Sequence, residues 1–150
     1  MKTTRRIALF MLFAVVASFF TTKALSQSFG NIDTKFIFKL LYFSEGDQLG
    51  LSAHVSTTAT YPCAGFGIRL TQSQMQDTIT VNIGGLVRPN PCFQTESEAT
   101  GKLFIGPLRS GDYILKIYYR GASDLYALAM SEYTFTVKPI QTEFTEVRGY

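Results

Sequence analysis

The side chains able to do chemistry are few. His54 is the single histidine in the chain, so any Ser-His or Cys-His nucleophile pair has one base to draw on. No Gly-x-Ser-x-Gly turn accompanies it. Alternation through Leu49, Leu51, Ala53 and Val55 puts His54, with Ser52 and Ser56, on the strand face turned away from the core. Carboxylate pairs suited to glycoside hydrolysis come nearest in Glu96 with Glu98 and in Glu45 with Asp47. Two residues apart on polar segments, each reads first as a solvated acidic patch. Glu45-Gly46-Asp47 lacks the dense oxygen ligands of a dedicated calcium loop. The residues therefore point to no catalytic group, no metal and no cofactor, and the chain is expected not to be an enzyme.

Cys63 and Cys92 are the only cysteines. Their spacing is not that of a redox Cys-x-x-Cys, and with one histidine they are too few for a four-ligand zinc site. A disulfide is the expectation, and closing a loop of about 30 residues would be worth roughly 3.6 kcal/mol in the chain-entropy model. Each cysteine follows a proline, in Tyr61-Pro62-Cys63 and Pro89-Asn90-Pro91-Cys92, so the bridge should pin two turns rather than the middle of a sheet. Such a bridge would gather Tyr61, Phe66, Arg88 and Phe93 near one rim. Aromatic and arginine side chains on braced loops suit recognition of a protein or a glycan. The competing expectation is that Phe66 and Phe93 plug the end of the core.

A disulfide implies export, and the first 26 residues supply the route. Lys2, Arg5 and Arg6 precede an apolar run from Ile7 to Phe20, and Ala24-Leu25-Ser26 ends the stretch with small residues. That order is a secretory leader, with cleavage expected after Ser26; the alternative is an uncleaved anchor. Four of the 14 basic residues lie in the leader and none of the 11 acidic ones, so the overall charge of +3 becomes about −1 for residues 27–150. Nucleic acid is excluded as a partner, since phosphate binding needs a clustered cationic surplus. With the leader removed, no membrane attachment is expected. The exported part should act in the periplasm or outside the cell, and no Asn-x-Ser/Thr acceptor is present. Its length suits one domain, 27–150, with a core of its own.

Within that domain, period-two alternation predicts strands nearly throughout. Phe36, Phe38, Leu40 and Tyr42 share one face of a strand from Thr34 to Phe43, while Ile37, Leu41 and Phe43 make the other face apolar as well. A strand apolar on both sides is either covered twice or exposes an assembly surface. After the Ser44-Glu45-Gly46-Asp47 turn comes the His54 strand. Phe66, Ile68 and Leu70 form the next inward set, then Ile79, Val81 and Ile83, with Gly84-Gly85 as the predicted stop. An irregular stretch from Leu86 to Glu98 leads to a short strand, Lys102 to Ile105, closed by Pro107. Gly121-Ala122-Ser123-Asp124 reads as a late turn, and Leu125 to Met130 with Tyr133 to Val137 as one bent final strand or a last hairpin, ended by Pro139. Residues 138–150 read as an added edge strand or a loose tail.

Leu108, Gly111-Asp112 and Tyr113, followed by Leu115 and Ile117 on the same face, resemble the corner of immunoglobulin-like and fibronectin type III-like sandwiches. The resemblance covers Leu108 to Ile117. It implies an immunoglobulin-like fold and a Tyr113 hydroxyl bonded to backbone a few residues upstream; seven or eight short strands at nearly regular spacing, with no helical stretch after the leader, independently argue for an antiparallel β-sandwich. A small closed barrel is the second architecture compatible with the pattern. Gly84-Gly85 with Arg88-Pro89 is similar in outline to chagasin-like peptidase inhibitors. Here the elements are nearly adjacent, Asn90 stands at the aromatic position and the Asn-Pro-Thr-Thr-Gly loop is missing, so no inhibitory role carries over. Three functions follow as expectations: a secreted binding module, a small hydrolase using loop carboxylates, or a structural subunit assembling through the Thr34 to Phe43 strand.

Overall fold

The computed structural model describes residues 34–45 and 48–149. The leader over 1–26, its cleavage after Ser26 and the Gly46-Asp47 turn lie outside them. The chain runs through β1 (Phe36–Glu45), β2 (Gln48–Tyr61), β3 (Gly67–Met75), β4 (Thr78–Val87), β5 (Ser97–Leu108), β6 (Gly111–Tyr119), β7 (Ala122–Met130), β8 (Phe135–Gln141) and β9 (Thr145–Gly149). Among the described residues there is no helix, in keeping with the all-β pattern of the sequence.

Alternation determines which side chains go inside. Phe36, Phe38 and Leu40 on β1, Leu51, Ala53 and Val55 on β2, Ile79, Val81 and Ile83 on β4 and Leu115 and Ile117 on β6 are all buried. Removing this apolar surface from water is the main drive for collapse. Phe36 meets the Tyr119 ring edge-to-face at 5.4 Å, so the inner faces of β1 and β6 pack against each other across the core.

The expected antiparallel sandwich of seven or eight strands needs correction. Nine strands form one mixed sheet in the order β8-β7-β6-β4-β3-β5-β2-β1-β9. β4 runs parallel to β6, β1 parallel to β9, and β3 meets β5 in a parallel contact of one residue pair, Gly67 with Thr100. Periodicity assigns faces and carries no direction. A parallel pair arises when the chain crosses to another part of the fold before returning, as β5 does between β4 and β6.

The sheet curls until it is nearly closed into a barrel. A Cβ placed on Gly149 of β9 would lie 3.0 Å from the Phe135 ring of β8, so the two edge strands approach side by side. The Tyr42 hydroxyl of β1 donates to the Glu132 carbonyl in the loop before β8.

Several strand ends also differ from the sequence expectation. β4 does not stop at Gly84-Gly85 but bends through Gly85, whose φ is +116°, beside a register shift at Arg69/Leu70. Glycine there supplies a backbone conformation that side-chain-bearing residues avoid. β5 starts at Ser97 and runs past Pro107, which falls in the bulge between the Leu51–Ile105 and Leu49–Leu108 pairs. Pro139 lies inside β8, an edge strand where a missing N–H does no harm. The late turn is Arg120-Gly121, with φ of +50° and +90°, and Asp124 is a buried strand residue. Residues 145–149 form an edge strand, not a loose tail.

Asp124 explains how that last strand is held. Its carboxylate accepts the N–H of Glu143 at 2.9 Å, of Phe144 at 3.0 Å and of Thr145 at 2.7 Å, and the Thr145 hydroxyl at 2.6 Å. The chain is thereby turned into β9 alongside β1, where Phe36 donates its N–H to the Phe144 carbonyl at 2.9 Å. A carboxylate 1% exposed is tolerable because these donors replace its water.

Candidate functional site

The two loops predicted to meet do meet. Cys63, in the loop after β2, is bridged to Cys92, in the loop before β5, with Cα atoms 5.3 Å apart. Ala64 and Phe93 form an isolated antiparallel bridge beside the disulfide, Ala64 donating its N–H to the Phe93 carbonyl at 3.0 Å. The Ser97 hydroxyl reaches the Cys63 carbonyl at 3.5 Å. The loop over residues 88–96 is thus anchored to its neighbour by covalent and backbone contacts.

The four rim residues separate into two pairs. Tyr61 and Phe66 are half-buried, their rings 5.2 Å apart, and both pack against the core cluster. They plug the open end of the sheet. Phe93 does not join them: it is 67% exposed. Arg88 is exposed too and lines a cavity of about 360 Å³ with Pro62, Cys63, Cys92, Gln94 and Glu96. The expectation that Phe66 and Phe93 act alike as a plug therefore holds for Phe66 alone. The cavity contains the arginine and the disulfide but is not lined by Phe93.

The remaining candidates are dispersed. His54 sits half-buried on the outer face of β2, opposite Lys39 on one side and Lys102 on the other. Both cysteines are in the bridge, leaving no thiol beside it. Glu96 lines the rim cavity and Glu98 a different hollow on β5, so the pair does not converge on one space. The Glu45/Asp47 pair and the calcium idea attached to it lie outside the described side chains. Among the described residues, no three His, Cys, Asp or Glu side chains are grouped to hold a metal.

Tyr113 behaves as its corner sequence implies. Its hydroxyl accepts the Arg109 N–H at 3.1 Å and donates to the Arg109 carbonyl at 3.0 Å, tying the start of β6 to the turn before it. Tyr126 is a further anchored phenol: burial raises its pKa, hydrogen bonding with Thr145 opposes the rise, and the nearby Asp124 charge adds to it. On β9 the Arg148 guanidinium donates to Glu146 at 2.7 Å and holds that carboxyl below its usual range.

Comparison with known proteins finds no match: no family model, no curated protein and no solved structure corresponds to this chain. Two features escaped sequence reasoning. Asp124 sat in what looked like a turn, and only its three neighbouring amides reveal its work. The cations Lys39, Lys102 and Arg148 are scattered in sequence, and only strand register lines them up.

Proposed function

We propose that this chain is an exported, non-enzymatic binding module with an immunoglobulin-like core, whose disulfide-braced rim recognises a periplasmic or extracellular protein or glycan. The observation that carries it is Phe93, a large apolar side chain left 67% exposed on a loop that is otherwise tied down. Ordering the loop in advance lowers the entropic cost of binding, and an aromatic and a forked cation carried on the same braced loop offer contact area and directed donors. The bridge suits an oxidising compartment. The immunoglobulin-like element of the proposal draws support from the Tyr113 corner and from the single-pair seam between β3 and β5, which nearly divides the sheet into two facing halves. The parallel β4–β6 pair departs from that family's usual arrangement.

Immobilised exported chain should capture a partner from its own extracellular or periplasmic fraction, and Arg88→Ala/Phe93→Ala should abolish capture with an unchanged melting temperature. Retention of the same partner by the double variant would overturn the proposal. Hydrolysis has less support, because Glu96 and Glu98 line different hollows.

A structural-subunit role has one observation in its favour: Leu41 and Phe43 on the outer face of β1 are 42% and 37% exposed. β1 is flanked by β2 and β9, so assembly would proceed through its face rather than by strand addition. Size-exclusion chromatography decides this, since a monomer at high concentration removes the role.

A further inference from the structure

We propose that the outer face of β9-β1-β2-β5 carries a second binding site, for an acidic saccharide, centred on Lys39, His54 and Lys102. The site lies apart from the rim and does not rest on it. Strand register sets Arg148 beside Lys39, Lys39 beside His54, and His54 beside Lys102. Directly opposed residues point to the same side of a sheet, with adjacent strands about 4.8 Å apart, so these side chains form one row across four strands. The Arg148 charge is met by Glu146. Lys39 and Lys102 are exposed and have no ion-pair partner among the described residues.

Next to the row the face is concave. Small side chains at Ser56 and Thr100 and the backbone of Gly101 leave a hollow of about 340 Å³, bounded by Lys39, His54 and Lys102 and by Glu98. That volume lies within the range of small-ligand hollows.

The lining selects the ligand. Lys39 and Lys102 offer charge-assisted donors for a carboxylate or sulfate. Ser56 and Thr100 both donate and accept, whereas the exposed Glu98 only accepts, so a ligand that covers it must replace its water with a donor. A lipid phosphate or an acidic side chain offers acceptors alone and would be repelled by Glu98. A sugar ring bearing an anionic substituent supplies both: hydroxyls that donate to Glu98 and a charge for the lysines. Phe104, two residues beyond Lys102 on the same face and outside the hollow, is 39% exposed and braced edge-to-face on Phe43 at 5.3 Å, giving an apolar surface for the C–H side of a neighbouring ring of a polymer that crosses the row.

Polygalacturonate, a uronic-acid polymer, is the probe, with neutral dextran, polyglutamate and anionic phospholipid vesicles as comparison arms. The exported chain should retard on polygalacturonate in affinity electrophoresis, more weakly as salt rises, and should pass dextran unhindered. Lys39→Ala/Lys102→Ala should weaken that binding by at least about tenfold. Ser56→Ala/Thr100→Val, which keeps every charge, should also weaken it, and Arg88→Ala/Phe93→Ala should not. Circular dichroism and melting temperature, both unchanged, guard against misfolding. Equal binding by the lysine variant, unchanged binding by the hydroxyl variant, or tighter binding to polyglutamate or vesicles than to polygalacturonate would each overturn the assignment.

Discussion

Two loop segments of this protein are tied down, by different means and toward different ends. At residues 143–145 the brace is a buried carboxylate: Asp124 collects three backbone amides and a hydroxyl, and Phe144 packs against the core beside Tyr119. At residues 88–96 the brace is a disulfide with one backbone bridge, and what it holds faces outward, with Arg88 and Phe93 in solvent. A loop whose apolar side chain is buried has its reason in stability. A loop that is ordered and still presents an aromatic to water has gained nothing for the core from that residue, which is why function is sought there.

That contrast can be broken most forcefully at Asp124. Asp124→Ala strands one buried amide, two part-buried ones and the Thr145 hydroxyl, and the expected loss is about 3–5 kcal/mol in chemical denaturation, with hydrogen exchange accelerated over residues 145–149. Wild-type exchange rates there would mean that β9 is held by its ladder to β1 alone. Removing the other brace, with Cys63→Ser/Cys92→Ser, should cost about 2–4 kcal/mol by freeing the unfolded chain, and should weaken partner capture because the rim loses its order.

A smaller effect is expected at Tyr126. Its pKa is raised in the folded state, so above about pH 10 the unfolded chain gives up this proton first and stability falls with rising pH until the folded group also ionises. Tyr126→Phe should flatten that alkaline slope in pH-dependent melting, at a cost of about 1 kcal/mol for the lost hydrogen bonds to Thr145. At the outward loop the expectation is smallest: Arg88→Ala/Phe93→Ala should change stability by no more than about 0.5 kcal/mol. A larger loss would place Phe93 in the structural class with Phe144 and remove the basis for the rim.

How much could be read in advance differs from residue to residue. The inward sets of β1, β2, β4 and β6 were legible because each lies within one strand, where period two alone decides the face. Cys63 and Cys92 were legible because no other thiol competes. Tyr113 was legible because its partner, Arg109, is four residues away. Phe93 was not separable from Phe66, since both are aromatic residues in loops and only packing shows that one meets Tyr61 while the other stays in solvent. Asp124 was misplaced because a turn-like tetrapeptide hid a residue whose partners come 19 to 21 positions later.

By itself, then, the order of residues determined an all-β chain, the identity of its core faces, the one disulfide and the local corner at Tyr113, all of which depend on patterns within a strand or on scarcity. Tertiary structure decided strand direction, the near-closure of the sheet, the exposure of Phe93 and Arg88, and the alignment of Lys39, His54 and Lys102. Each of these depends on which distant strand lies alongside, and pairing across the chain is set by the joint packing of all nine strands rather than by any one of them.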